Sequence, residues 1–287
     1  MQRQLRYLKR RFSEIAIEPD NNIFTLQQGL DQISALRTAG ANLSGSVLEF
    51  GSGWFPIIPM LFHISNARRI ILTDVEQLMD TKTISIARGV ILENGPIVAD
   101  RLGLGIDELH SRLASFAPEY LVPWKSKFTK DKSIDIIVSR AVLEHVPVET
   151  IRCFFAEFKR ILKDDGFTSH IIDNSDHLEH SDKSLSRINF LRFEDSDFWW
   201  RIACMNIQGY QNRLRHSDYA ALFEDNKWRI IASNGSPDVK AVVDASKLPL
   251  SSRFQGRDPH DLAILTSHFI LAKADQLAPA SASSGVS

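Results

Sequence analysis

Apolar residues along this chain follow two rhythms. Short dense runs, Val47-Leu48 with Phe50, Ile70-Ile71-Leu72, Ile136-Ile137-Val138 and residues 167–173, read as strands buried on both faces. Residues 25–39 instead place Leu26, Leu30, Ile33 and Leu36 at helical spacing, which predicts a leading helix. Crossover helices are expected over residues 56–65, 75–93 and 148–162, and the turn Asp164-Asp165-Gly166 precedes the run at 167–173. Strands thus alternate with helices, so the expected fold is α/β, a mainly parallel sheet with helices on both faces. The rhythm breaks over residues 176–215, ahead of a helical segment at 216–223. An insertion there, at the carboxyl edge of the sheet, is placed to cover a substrate.

The first of these runs leads straight into Gly51-Ser52-Gly53-Trp54, with Glu49 just before the turn and Pro56 suited to the first turn of a helix. This is a nucleotide-type cofactor site in outline. A dinucleotide fingerprint would need a third glycine where Pro56 stands, and Glu49 would repel a diphosphate while suiting a cationic ligand. A second run, from Arg69 to Thr73, ends on Asp74, 25 residues beyond Glu49, where a nucleotide fold places its ribose-binding acid.

In order and spacing these features resemble class I S-adenosylmethionine-dependent methyltransferases, and among them the methyltransferase type 11 group. Motif I of that family, E/D-x-G-x-G-x-G, is met by Glu49, Gly51 and Gly53, with Phe55 in the last glycine slot. Ser139, Arg140 and residues 141–146 resemble the end of the fourth strand and its turn, and residues 227–232 and 267–272 the closing antiparallel pair. The likeness spans residues 25–273. It implies a Rossmann-like, seven-stranded, mainly parallel sheet with an antiparallel last strand, and S-adenosyl-L-methionine as cofactor. It also implies that Glu49, Gly51, Ser52 and Gly53 hold the methionine portion, that Asp74 holds the ribose, and that Ser139 and Arg140 lie at the cofactor, Arg140 towards its carboxylate. Arg140 could equally pair with Glu144. The acid that family members often carry after the third strand is missing: residues 119–122 run into Pro123-Trp124-Lys125, and the adenine contacts stay unassigned.

The densest polar cluster lies at the start of the insertion: Asp173, Asn174, Asp176, His177, Glu179, His180 and Asp182. Three readings compete. An imidazole can remove the acceptor's proton, the oxygens and nitrogens can hold a divalent metal, or the cluster is a hydrogen-bonded lid. A metal is disfavoured, because Ser139-Arg140 occupies the place where catechol-type enzymes carry a carboxylate. The expected base is His177, with His145 second. His180, Arg213 and Arg215 are expected on the acceptor side, and Phe198, Trp199 or Trp200 could stack on a sugar. The bland alternative makes the aromatics lid core and the arginines surface charges. Residues 173–177 (DNSDH), 189–193 (NFLRF) and 212–219 (NRLRHSDY) also resemble, less specifically, methyltransferases of bacterial surface-polysaccharide gene clusters. Methyl transfer at oxygen to a small-molecule or glycan acceptor is therefore expected. A noncatalytic S-adenosylmethionine-binding protein and a nicotinamide-dependent oxidoreductase are the other readings.

Composition narrows this further. With 287 residues and 44% hydrophobic content the chain can bury one large α/β domain, and a net charge of −1 gives no general attraction to nucleic acid. Two cysteines without a C-x-x-C pattern argue against a disulfide framework or structural zinc, and suit the cytoplasm. No apolar run nears the roughly 20 residues of a membrane span. Residues 1–24 are expected as a basic leading segment, of which 1–12 could touch an anionic membrane surface, and 274–287 as a disordered tail.

Overall fold

A computed structural model describes residues 19–205 and 210–275. Of the expected basic segment, 1–24, residues 1–18 lie outside the described residues and 19–24 belong to the first helix, and most of the expected tail also lies outside them. A seven-stranded sheet runs through the domain: β1 (Ser46–Phe50), β2 (Arg69–Thr73), β3 (Glu119–Leu121), β4 (Ile134–Arg140), β5 (Leu162–Asp173), β6 (Trp228–Asn234) and β7 (Thr266–Lys273). Its order is β3-β2-β1-β4-β5-β7-β6. The pairs from β3 through β5 are parallel, and β7 is antiparallel to both β5 and β6. In β5 the continuous ladder starts at Phe167, past the Asp164-Asp165-Gly166 stretch where the pairing with β4 jumps register.

Period-two alternation sends neighbouring residues to opposite faces, and the two faces have separate cores. Val47, Ile70, Leu72, Ile136 and Val138 pack against α1 (Pro19–Thr38), α2 (Ile57–Ile64), α3 (Thr81–Glu93), α4 (Gly95–Leu102) and α5 (Ile106–Ala114). Leu48, Ile71, Ile137, Phe269 and Leu271 pack against α6 (Val148–Ile161) and a later helix, His216–Asp225. Leu26, Leu30, Ile33 and Leu36 form the buried stripe of α1 that their spacing predicts.

Residues 75–93 are not one helix. Asp80 caps α3, accepting from the Thr83 amide while the Thr83 hydroxyl accepts from the Asp80 amide, so the helix starts at Thr81 and residues 75–80 form a loop. Val75, 71% exposed, belongs to that loop.

The insertion carries α7 (His177–Ser181), a 3₁₀ turn at Asn189–Arg192 and α8 (Phe198–Cys204), followed by α9 (His216–Asp225). Ile188, Phe190, Leu191 and Trp200 pack with Ala241, Ala245, Phe254, Leu262 and Leu265. The cover over the sheet edge is therefore built from two chain segments, the insertion and the β6–β7 connection with α10 (Val239–Lys247) and α11 (Pro259–Leu262). Among the described residues no helix is long and apolar enough to cross a membrane.

Candidate active site

The turn after β1 is tied to the end of β2. The amides of Gly51 and Ser52 both donate to the Thr73 carbonyl, at 2.9 and 3.0 Å, and the Gly53 amide donates to Asp74 Oδ2 at 2.9 Å. Gly51 has φ +76°, and a Cβ there would lie 2.5 Å from Val142 Cγ2, in the loop beyond β4. Gly53 has φ +60°, but a Cβ there would meet nothing within 4 Å. One glycine lets the turn close against its neighbour; the other leaves open space beside the turn for a ligand. Asp74 Oδ1 accepts from the Val75 amide at 2.7 Å. With the Glu76 amide also donating to Oδ1, at 3.4 Å, the carboxylate latches the turn to the start of the loop after β2.

Glu49 is buried, with Oε2 unpartnered. Burial, with the Asp74 charge adding to it, pushes its carboxyl up to about 8. At neutral pH it is mostly a protonated acid, which a cation placed beside it would ionise. Arg140 lies at the same strand ends, donating Nε to Gln28 Oε1 at 2.6 Å, its guanidinium 5.9 Å from the Phe24 ring centre. It makes no ion pair with Glu144 and acts on that group only through its charge. Ser139 is placed differently from the expectation of a cofactor contact. Its hydroxyl is 1% exposed and pairs with His170 Nδ1 at 2.8 Å inside the sheet, where β4 and β5 lie side by side. Trp124 is also turned inward: it packs on Phe50, Phe154 and Phe158 and donates to Thr129 Oγ1.

A second group of side chains gathers at the carboxyl ends of β4 and β5. A 3₁₀ turn, Leu143–His145, follows Ala141, which has φ +52°, and presents Glu144 and His145. The start of α7, capped by Asp176, presents His177. The His145 and His177 rings lie 4.9 Å apart between centres, and those of His177 and His180 5.1 Å. His145 Nδ1 meets the Tyr210 carbonyl at 2.8 Å, so this nitrogen carries the proton and Nε2 keeps its lone pair. His177 Nε2 is 3.4 Å from Asp173 Oδ2. Burial disfavours the charge on Asp173, but contacts with His177 and Ser175 outweigh it and hold the carboxyl at about 2. Burial lowers His145 and His180 below the usual imidazole range. Glu144, 3% exposed, has no hydrogen-bond partner on either oxygen.

The two arginines expected on the acceptor side are neither clamps at the cleft nor surface charges. Arg215 is fully buried and donates to the carbonyls of Asn174, Leu262 and Ile264 at 2.7, 2.8 and 2.9 Å. Arg213, 2% exposed, donates to the Phe190 and Phe193 carbonyls, pairs with Asp195 and lies 4.2 Å over the Trp200 ring. A buried guanidinium needs such acceptors for its donors, and both therefore bolt the cover together. Trp200 is buried in the cover, Phe198 is 68% exposed, and the Trp199 side chain lies outside the described residues. His180 stays with the imidazole group, its Nε2 3.3 Å from Ser175 Oγ.

Sequence reasoning missed Gln211, whose Oε1 accepts from the His177 amide at 3.2 Å and whose Nε2 donates to the Ser175 carbonyl at 2.8 Å. It also missed Asn212, which donates to the Leu143 and Val146 carbonyls and so braces the turn bearing Glu144 and His145. Nothing in the local sequence marks either residue. A cavity of about 340 Å³ adjoins them, lined by Trp200, Arg201, Tyr210, Gln211, Asn212 and Arg253 among others.

Residues 125–169, from just after β3 into β5, match the model of the family described as "Methyltransferase domain". Comparison with curated proteins gives no match. Among solved structures, the magnesium protoporphyrin IX methyltransferase ChlM of Synechocystis PCC 6803 with bound SAH is similar at 13% identity and TM-score 0.48, over 91% of this chain and 89% of that one. The YcgJ protein of Bacillus subtilis is similar at 14% identity and TM-score 0.43, over 85% and 97%. Likeness at this level leaves the acceptor open. The methyltransferase-domain match thus falls on β4, α6 and the start of β5, within a Rossmann-like α/β fold whose sheet runs β3-β2-β1-β4-β5-β7-β6.

Proposed function

We propose that this enzyme moves the methyl group of S-adenosylmethionine to a hydroxyl oxygen of a small-molecule acceptor, a sugar or glycan by preference. The observation that carries the reading is the group of three imidazoles, His145, His177 and His180, at the same strand ends as the glycine turn. Glu49 and the turn from Gly51 to Gly53 hold the methionine portion, Arg140 faces its carboxylate, and Asp74 takes the ribose hydroxyls. The acceptor oxygen attacks the methyl carbon in line, and the carbon–sulfur bond breaks with its electron pair going to sulfur. S-adenosylhomocysteine is left, and the hydroxyl proton passes to His177 first, or to His145. Positioning of the two reactants supplies most of the rate.

A carbohydrate acceptor is favoured by the neighbouring cavity, which Tyr210 lines and where Arg201 and Arg253 offer donors. The resemblance of residues 173–177, 189–193 and 212–219 to polysaccharide-associated enzymes points the same way. The catalytic unit is residues 25–273, with 176–215 as acceptor cover. The two unpaired cysteines, Cys153 and Cys204, suit the cytosol, where nucleotide sugars are made.

Calorimetric titration with S-adenosylhomocysteine, with NAD as the control ligand, tests the cofactor site. Saturable binding of the first alone supports the reading and opens a transfer assay on nucleotide sugars and glycans. Binding of NAD alone, or of neither by folded protein, overturns it.

A further inference from the structure

We infer that Glu144, His145 and His177 form a binding site for one first-row divalent cation on the acceptor side of the cleft. The inference rests on the methyl-transfer reading for its purpose, though not for its geometry. A metal looked unlikely from sequence, where the candidate ligands were Asp173 and Asn174 with a partner after β4. In the fold Asn174 is engaged elsewhere, its amide donating to the Ile264 carbonyl and to Ser267 Oγ. A different set comes together one turn further on. One ligand atom each from Glu144, His145 and His177 lies within 4.8 Å of the other two. Around a bound ion, with bonds of about 2 Å, such atoms sit roughly 3 to 4 Å apart, so small side-chain rotations would close the set.

The state of each donor points to a cation. Glu144 is 3% exposed; the backbone amides of Glu144 and Asp173 face its carboxyl, but neither oxygen completes a hydrogen bond. A buried carboxylate without completed hydrogen bonds is costly unless a positive charge meets it. Arg140 reaches it through its charge alone, its Nε donating to Gln28, and the stronger influence is the like charge of Asp173. His145 is anchored through Nδ1 to the Tyr210 carbonyl, the arrangement that aims Nε2 at a metal. His177 Nε2 is buried and faces Asp173 Oδ2 at 3.4 Å, which places a second carboxylate beside the same nitrogen.

Two imidazoles and one carboxylate suit Zn²⁺, Mn²⁺, Fe²⁺ or Co²⁺ better than Mg²⁺ or Ca²⁺, which prefer oxygen ligands. Three protein ligands leave a position open for the acceptor hydroxyl, whose proton the ion would acidify. This refines the chemistry: His145 and His177 hold the ion, and the hydroxyl proton leaves to His180 or to water as the oxygen attacks the methyl carbon.

The test uses the full chain, free of any purification tag and stripped with a chelator, titrated with Co²⁺ by visible absorption and with Zn²⁺ by calorimetry. We expect one ion per chain and the stronger visible bands of a site with fewer than six ligands. Glu144→Gln and His177→Asn should each weaken binding at least tenfold, with circular dichroism unchanged. His177 is only partly buried, so His177→Asn serves if Glu144→Gln fails to fold. No Co²⁺ binding, or binding that a folded His177→Asn variant keeps in full, overturns the inference. S-adenosylhomocysteine titrated into the same samples separates the two readings. Nucleoside binding without Co²⁺ binding defeats the metal site alone, and Co²⁺ binding without nucleoside binding defeats the methyl-transfer reading alone.

Discussion

Glu49 ties cofactor binding to protons. In the empty cleft burial pushes its carboxyl up to about 8, against 4.5 for an ordinary glutamate, so at pH 7 the folded protein holds a proton there that the unfolded chain has released. Stability from this group is therefore full below pH 4.5 and falls as pH rises through 8. A ligand carrying an ammonium, or a sulfonium, favours the ionised form and must expel the proton. Affinity for S-adenosylhomocysteine should rise as pH goes from 6 to 8, by up to about tenfold per unit, and level off above. Calorimetry in buffers of different ionisation enthalpy should show close to one proton released at pH 7, and Glu49→Gln should abolish both the release and the slope. The two glycines of the turn separate in the same way. Gly51→Ala drives a Cβ into Val142 as well as straining a positive φ, and should unfold the protein or destabilise it by several kcal/mol in urea titration. Gly53→Ala meets open space, should cost only about 1 kcal/mol, and should lose cofactor affinity because its methyl group occupies room meant for the ligand.

Within the elements, the cover over the sheet edge is held by its arginines. Arg215 joins the end of β5, through the Asn174 carbonyl, to the β6–β7 connection, through Leu262 and Ile264. Arg215→Met should strand the buried carbonyls of Asn174 and Leu262, leave that of Ile264 with only the Asn174 amide, and lower stability by about 2 kcal/mol or more, seen as a lower urea midpoint. A phosphate clamp would behave in the opposite way, with stability unchanged and the acceptor's KM raised. Sequence could not distinguish these outcomes, because the groups that saturate Arg215 are backbone carbonyls 41 to 49 positions away. The apolar pattern of α1 and the run of β1 into its turn were legible, since periodicity and glycine positions are local. The start of α3 was not, because an apolar pattern begins at Val75 while the Asp80–Thr83 capping box sets the boundary six residues later. Glu144 showed the same limit at the site: sequence offers Arg140 as its ion-pair partner, and the fold turns that guanidinium to Gln28 instead.

Across the whole molecule, alternation along the strands let the two-faced sheet be read from sequence, but it concealed what lies at its centre. His170 is fully buried between α6 and α9, packed near Phe155, Phe158 and Phe223, and burial pushes its imidazole down to about 3. His268, in the adjacent strand β7 and paired to Ser169 Oγ at 2.8 Å, is pushed down to about 4. Both are depressed bases, so the unfolded chain binds protons below pH 6.5 that the folded chain does not, and stability is lost as pH falls from 6.5 through 4. His63 and His216 are shifted in the same direction by burial. Glu49 opposes them over this range, since the folded protein there keeps a proton that the unfolded chain releases above pH 4.5. Burial raises Glu144 in the same direction as Glu49 and lowers His145 and His180 with the other imidazoles. The six depressed imidazoles outweigh the raised glutamates below pH 6.5, and above it the glutamates act. The unliganded enzyme should therefore be most stable near pH 6.5, with urea midpoints falling on both sides. Saturation with S-adenosylhomocysteine ionises Glu49 in the folded state, so the alkaline fall should flatten while the acid fall steepens. His268→Gln should flatten the acid slope and leave the alkaline side as it was. An acid slope untouched by His268→Gln would mean that this imidazole is protonated in the fold, and that the Ser169 pair is exposed to solvent.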